Sequence, residues 1–154
     1  MKFIVTRELG KLARWLRIFG FDTVYFSQGG SGSLIIQALR EERIVITRNQ
    51  RLSKTSGVRT LFIEAQTVRE QIKEVYARLR IPSGSERMFS RCVLCNLELE
   101  RIAKEQIQGQ VPPYVFETQQ DFLRCPCCQR IYWQGTHWGN VHQMVKEIGP
   151  PWNS

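Results

Sequence analysis

Long apolar runs are missing from this chain. No stretch approaches the ~18 residues needed to cross a bilayer, so a membrane protein is not expected. Met1-Lys2-Phe3-Ile4-Val5 turns polar at Thr6-Arg7-Glu8, too short for the apolar region of a signal peptide, which points to a cytoplasmic protein. Histidine is scarce too. His137 and His142 have no carboxylate between them, unlike the pair on a zinc-protease helix, and are read as ordinary polar residues. Carboxylates are thin in one half only: residues 1–80 hold seven Asp+Glu against 15 Lys+Arg, whereas residues 81–154 hold seven of each. The net charge of +8 therefore resides wholly in the first half. A segregated basic half suits a polyanionic partner, most often nucleic acid, because binding releases condensed counterions.

What is present is a globular composition, 42% hydrophobic and 23% charged, in 154 residues, enough for one domain or a small domain with a satellite. The first half alternates strand and helix signals. Strands are predicted at Lys2–Thr6, Thr23–Phe26, Arg43–Thr47 and Val58–Ile63, with helices at Glu8–Phe19, Leu34–Glu42 and about Gln66–Leu79. In the first helix Leu9, Leu12, Trp15, Leu16 and Phe19 share one face, with Gly20 in the stop position. Arg7, Lys11, Arg14 and Arg17 share the opposite one. Ser27 to Ser33, rich in glycine and serine, is expected to be a flexible loop. Strands separated by helices of this length imply parallel pairing in a three-layer α/β fold. Pro82-Ser83-Gly84-Ser85 falls where the charge balance changes, which divides the chain into an α/β domain at 1–81 and a second domain at 86–146.

The second domain is marked by its cysteines. Cys92-Val93-Leu94-Cys95 and Cys125-Pro126-Cys127-Cys128 form a C-x2-C…C-x2-C pattern with 29 residues between the pairs. Two-residue spacing lets both thiolates of a pair face one ion, and two pairs close a tetrahedral site for structural Zn2+. The long interval leaves room for a hairpin excursion through Val111-Pro112-Pro113-Tyr114. Cys127 breaks the spacing and is left as the spare, while the odd cysteine count disfavours a disulfide framework. Four thiolates on one Zn2+ carry a net charge of about −2, which widens the contrast between the halves. Tyr132, Trp133, Trp138 and Trp152 are read as packing over the zinc module, with stacking on unpaired bases as the alternative.

Lys2-Phe3-Ile4-Val5-Thr6-Arg7-Glu8-Leu9-Gly10-Lys11-Leu12-Ala13-Arg14-Trp15-Leu16-Arg17, then Gly20-Phe21-Asp22-Thr23, then Ile44-Val45-Ile46-Thr47-Arg48-Asn49 resemble the PIN-like RNase domain of the Mut-seven C-terminal type. Phe89-Ser90-Arg91-Cys92, Cys95-Asn96, Val111-Pro112-Pro113-Tyr114, Arg124-Cys125-Pro126 and the stretch from Tyr132 to Trp138 resemble its zinc-ribbon tail. The resemblance implies a PIN-like α/β domain with a parallel sheet, a small four-cysteine zinc ribbon, and metal-dependent cleavage of RNA. It also implies Asp where this chain has Thr6 and Asn49, and acids where it has Gly29 to Ser33. Cleavage of this kind uses clustered carboxylates to hold Mg2+ or Mn2+, a charge that Thr and Asn do not supply.

Of the seven acids in the first half, Asp22, Glu41 and Glu42 precede strands, and Glu70 and Glu74 lie on the last helix; only Glu8 and Glu64 follow strands at the edge where α/β sheets place their sites. Three readings follow. The first is an RNA-binding protein with cleavage absent or weak, using Arg7, Lys11, Arg14, Arg17, Arg48 and Arg51 on structured or single-stranded RNA, with duplex DNA also open on charge alone. The second is a ribonuclease using Glu8 and Glu64 with Mg2+ or Mn2+. The third is a protein-interaction module in a larger assembly such as a ribonucleoprotein, with Trp133, Trp138 and Trp152 as its contact surface.

Overall fold

The structure is a computed structural model that describes residues 1–82, 87–134, 141 and 143–146. Four parallel strands form the first sheet: β1 (Lys2–Thr6), β2 (Asp22–Phe26), β3 (Ile44–Thr47) and β4 (Thr60–Phe62), in the order β2-β1-β3-β4. Phe3 pairs with Thr23 on one side and Ile44 on the other, and Val45 pairs with Thr60. The central strands read as continuous apolar runs because both sheet faces are covered. Phe3, Val5, Ile44 and Ile46 pack on α1 (Gly10–Ile18) and α4 (Val68–Leu79), while Ile4 and Val45 pack on α2 (Ser31–Glu41) and on Leu52 of α3 (Gln50–Ser53). These are the three layers expected. Leu12, Leu16, Ile72 and Val75 are fully buried, each contributing about 1.5–3 kcal/mol of apolar transfer energy.

The second sheet is antiparallel, in the order β5-β6-β7: β5 (Glu100–Ile102), β6 (Phe122–Arg124) and β7 (Ile131–Trp133). Its small core is Ile107, Val111 and Phe122. The two parts are stitched together. Backbone amides of Arg87 and Phe89 donate to the carbonyls of Phe19 and Ile18, at 3.1 and 2.9 Å. Gly20 has φ +88°, and a Cβ there would run into the Arg87 carbonyl, so glycine both ends α1 and admits the incoming chain. Met88, Phe89, Val141, Met144 and Val145 pack against the core of the first sheet.

Several expected bounds are corrected. The predicted helix from Glu8 begins as a 3-10 turn, Arg7–Leu9, and α1 starts at Gly10. The loop expected through Ser33 ends early, because α2 starts at Ser31 with Gly30 as its N-cap. Helix α3 has no counterpart in the sequence pattern; the Asn49 side chain accepts a hydrogen bond from the Leu52 amide and caps it. Instead of a hairpin between the cysteine pairs, a 3-10 turn (Lys104–Ile107) and α5 (Pro113–Thr118) intervene between β5 and β6. Pro112 and Pro113 suit the start of a helix, where the missing amide matters little. Most of the expected linker, together with His137, Trp138, His142 and Trp152, lies outside the described residues.

Candidate functional site

A cleft of about 440 Å3 opens at the C-terminal edge of the parallel sheet. Thr6 ends β1, Thr47 ends β3, and the Ser27–Gly30 loop with Ser31 at the start of α2 closes the side beside β2. Among the described residues one carboxylate lines it, that of Glu8. Its Oε1 accepts from the Thr6 hydroxyl at 2.6 Å, the Arg48 amide at 2.9 Å and, more distantly, the Thr47 hydroxyl at 3.4 Å. Burial pushes the Glu8 carboxyl upward, but these donors outweigh it and hold the group below the usual carboxylate range. Glu8 is therefore an anion at neutral pH with one oxygen already engaged. Thr47 is fully buried and accepts the Asn49 amide at 3.0 Å, so Thr6, Thr47, Asn49 and Glu8 form one connected polar floor. Asn49 itself is occupied as the α3 cap.

Glu64 does not join Glu8. It lies past β4, exposed, in a separate hollow with Glu70, Lys73, Glu74 and Arg78. With β3 between them, the strands carrying the two acids run about 10 Å apart. A Mg2+ or Mn2+ centre built on clustered carboxylates does not fit the cleft as it stands, since the cleft supplies one.

The six candidate cations divide. Arg7, Lys11, Arg14, Arg48 and Arg51 are exposed. Arg7 lines the cleft, and Arg48 reaches from its neighbourhood to the Ala65 carbonyl at 2.9 Å. Arg17 is turned inward: its guanidinium donates to the carbonyls of Thr23 at 2.9 Å, Val93 at 2.8 Å and Leu94 at 3.2 Å. Burial lowers its pKa, opposed by the nearby cysteines and Asp22. Arg17 thus holds α1 to the first cysteine pair rather than facing a partner.

At that pair the chain makes a tight turn. The Cys95 amide donates to Cys92 Sγ at 3.4 Å, the Asn96 amide donates to the Cys92 carbonyl at 2.9 Å, and Asn96 takes φ +65°. The second pair repeats the turn in the β6–β7 connection, with Gln129 donating to the Cys125 carbonyl at 3.0 Å and taking φ +64°. The sulfurs of Cys92, Cys95, Cys125 and Cys128 come within 4.8 Å of one another, and among the described residues this is the group of His, Cys, Asp and Glu that could hold a metal ion. Cys92 and Cys128 sulfurs are 3.7 Å apart, close to the edge of about 3.8 Å of a tetrahedron with 2.3 Å metal–sulfur bonds. Cys127 is exposed and outside the cluster. Burial raises the Cys92 thiol, but hydrogen bonds from the Tyr132 hydroxyl and the Cys95 and Leu94 amides pull it down to about 7. Tyr132, 3.2 Å from Cys92 Sγ, is itself pushed up by burial and by that sulfur. The donors fit a thiophilic ion such as zinc.

Arg130 is not singled out in the sequence, and Asn96 and Thr47 figure there only within the stretches that carry the resemblance, with no role of their own. Asn96 carried a usable signal: it directly follows C-x2-C, where a positive φ favours Asn or Gly. Its side chain accepts the Thr23 amide at 2.9 Å and donates to Asp22 Oδ1 at 2.8 Å, so it ties the metal turn to β2.

A parallel α/β domain with a polar cleft at its strand ends, carrying a four-cysteine ribbon, is the class that fold and site define. The chain matches the family described as Mut7-C RNAse domain over residues 1–145, and it belongs to that family. No curated protein and no solved structure matches it.

Proposed function

We propose that the protein binds RNA through a basic face on its α/β domain, residues 1–81, with cleavage absent or weak. The observation that carries this reading is the composition of the cleft where a nuclease of this family would work: one partly engaged carboxylate, Glu8, with Thr6 and Asn49 at its sides and Arg7 at its rim. Arg7, Lys11, Arg14, Arg48 and Arg51 contact phosphates, which set affinity and register without reading bases. The ribbon, residues 86–146, holds Zn2+ on Cys92, Cys95, Cys125 and Cys128. Four protein ligands leave no open position, so the ion supports the fold. A cytoplasmic setting belongs to the same reading, because a reducing compartment keeps the thiols free for metal. No described helix is long and apolar enough to cross a membrane.

The second reading, a ribonuclease using Mg2+ or Mn2+, draws on one observation: Glu8 is held ionised inside the cleft. Filter binding and cleavage of labelled RNA by the zinc-loaded protein separate the two. Five phosphate contacts on a single strand give a log–log salt slope of about −3.5. Changing Arg48 and Arg51 to Glu should flatten it. A flat response in the unaltered protein overturns RNA binding. Cleavage that needs Mn2+, stops with EDTA and is lost in Glu8→Gln establishes the ribonuclease instead.

A further inference from the structure

Basic residues and aromatic rings meet at a second place, away from the cleft. A groove of about 400 Å3 runs between the exposed side of α1 and strand β7 of the ribbon. That is toward the lower end of the roughly 300–1,000 Å3 typical of pockets for small ligands, room for a base rather than a duplex. Lys11 and Arg14 line it from α1, and Arg130 lines it from the second cysteine turn. Among the described residues the side chains of these three make no hydrogen bond and no ion pair. Trp15, Tyr132 and Trp133, each half-buried, present ring surface in the same groove. Among the described residues no carboxylate lines it, whereas four other hollows contain Asp121, Glu64, Glu8 and Glu42.

We propose that this groove is a stacking site for an unpaired base of a single-stranded RNA segment, with Lys11, Arg14 and Arg130 on the flanking phosphates. A base has a flat π-face that a ring can cover whatever the sequence, and free cations beside the ring suit the sugar–phosphate chain. The path is continuous. Arg7 lines the cleft in the 3-10 turn that leads into α1, and Lys11 and Arg14 line the groove from α1 itself, so a strand leaving the cleft past Arg7 would meet cations along α1 on its way to the groove. This inference rests on the RNA-binding reading and adds the form of RNA and the place where its base sits.

The full-length, zinc-loaded protein is titrated into fluorescein-labelled oligo(U) and into an RNA duplex of equal length, with tryptophan fluorescence followed in parallel. Oligo(U) should quench the tryptophans. Trp133→Ala should weaken oligo(U) binding roughly 5- to 150-fold, the range found for loss of one stacked base. Trp133→Phe keeps a ring and should recover most of that affinity. Since Trp133 also touches the ribbon core, Arg130→Glu provides the variant that leaves packing intact. It should weaken oligo(U) more than the duplex. Equal losses for both RNAs would reduce Arg130 to long-range charge and overturn the stacking site. So would RNA binding without tryptophan quenching, or displacement of oligo(U) by polyglutamate, which would assign the groove to an acidic protein. Failure to bind either RNA would instead remove the RNA-binding reading itself.

Discussion

Arg17 and Asp22 are the residues whose roles depend most on contacts far along the chain. Arg17 sits on the basic face of α1 by helical spacing, yet its guanidinium is taken up by Thr23, Val93 and Leu94. Asp22 starts β2 and receives Arg43 at 2.7 Å and Asn96 at 2.8 Å, so one carboxylate joins β2, the residue that leads into β3 two strands away, and the first cysteine turn. Burial raises the Asp22 carboxyl, but these two partners outweigh it and lower its pKa. A depressed carboxylate stabilises the fold above its unfolded pKa, near ~3.9 for Asp, and the contribution is lost as pH falls through the lower folded value. Asp22→Asn should therefore cost about 1–3 kcal/mol at neutral pH, the range for stranding a charged hydrogen-bond partner. The gap between the two proteins should be flat above pH ~5 and should close in the acid below ~4. Urea unfolding across a pH series with zinc in excess measures it. A gap that persists undiminished in acid would mean that the charge on Asp22 contributes nothing.

Elements set by local pattern were readable in the sequence, and those set by a single cap or by a distant neighbour were not. The apolar runs of β1 and β3 and the periodic face of α1 announced the three layers, and the cysteine spacing announced the four-cysteine cluster. Helix α3 is only Gln50–Ser53, too short for periodicity, and its one signal was Asn49 as a cap. The start of α2 at Ser31 was hidden because Ser and Gly look like loop residues, although Gly serves as an N-cap and the first turn tolerates Ser. Arg130 and the Lys11–Arg14 face become neighbours only when the ribbon docks. Asn49 carries a test at this scale. Asn49→Ala should destabilise by about 1 kcal/mol through loss of the cap, whereas Asn49→Asp keeps the cap and should change stability by only a few tenths. Adding Thr6→Asp to Asn49→Asp places three carboxylates at the cleft. Mn2+ should then stabilise the double variant, by about 2.7 kcal/mol at 100 times its Kd, with no comparable effect on the unaltered protein. Thermal unfolding with and without Mn2+ is the measurement, and an equal rise in the unaltered protein would show that Glu8 alone suffices to hold the ion.

Across the whole molecule the charge boundary is not an energetic boundary. All of the net +8 lies in residues 1–80, yet Met88, Phe89, Val141, Met144 and Val145 complete the core beneath α1 and α4. The ribbon also supplies two of the three acceptors for Arg17 and a partner for Asp22. Among the described residues its own core is three buried side chains, little to order it without a metal crosslink. Stripping the metal should therefore be felt in the α/β sheet. Losing Met88 and Phe89 from the shared core removes about 1.5–3 kcal/mol each at most, and each kcal/mol lowers the midpoint of a domain this size by roughly 2–4 °C. Amides of β1 and β3 should exchange hydrogen faster after chelation, while the far-UV signal of α1 and α4 survives at 25 °C. Arg17→Ala in the metal-loaded protein should reproduce part of the same change, because it cuts the link at the α1 end without touching a cysteine. If β1 and β3 keep their full protection once the metal is gone, the two parts are energetically independent and the shared packing is incidental. If protection falls in both experiments, metal on the four cysteines stabilises the α/β half through the ribbon, by way of the same contacts that set β7 beside α1.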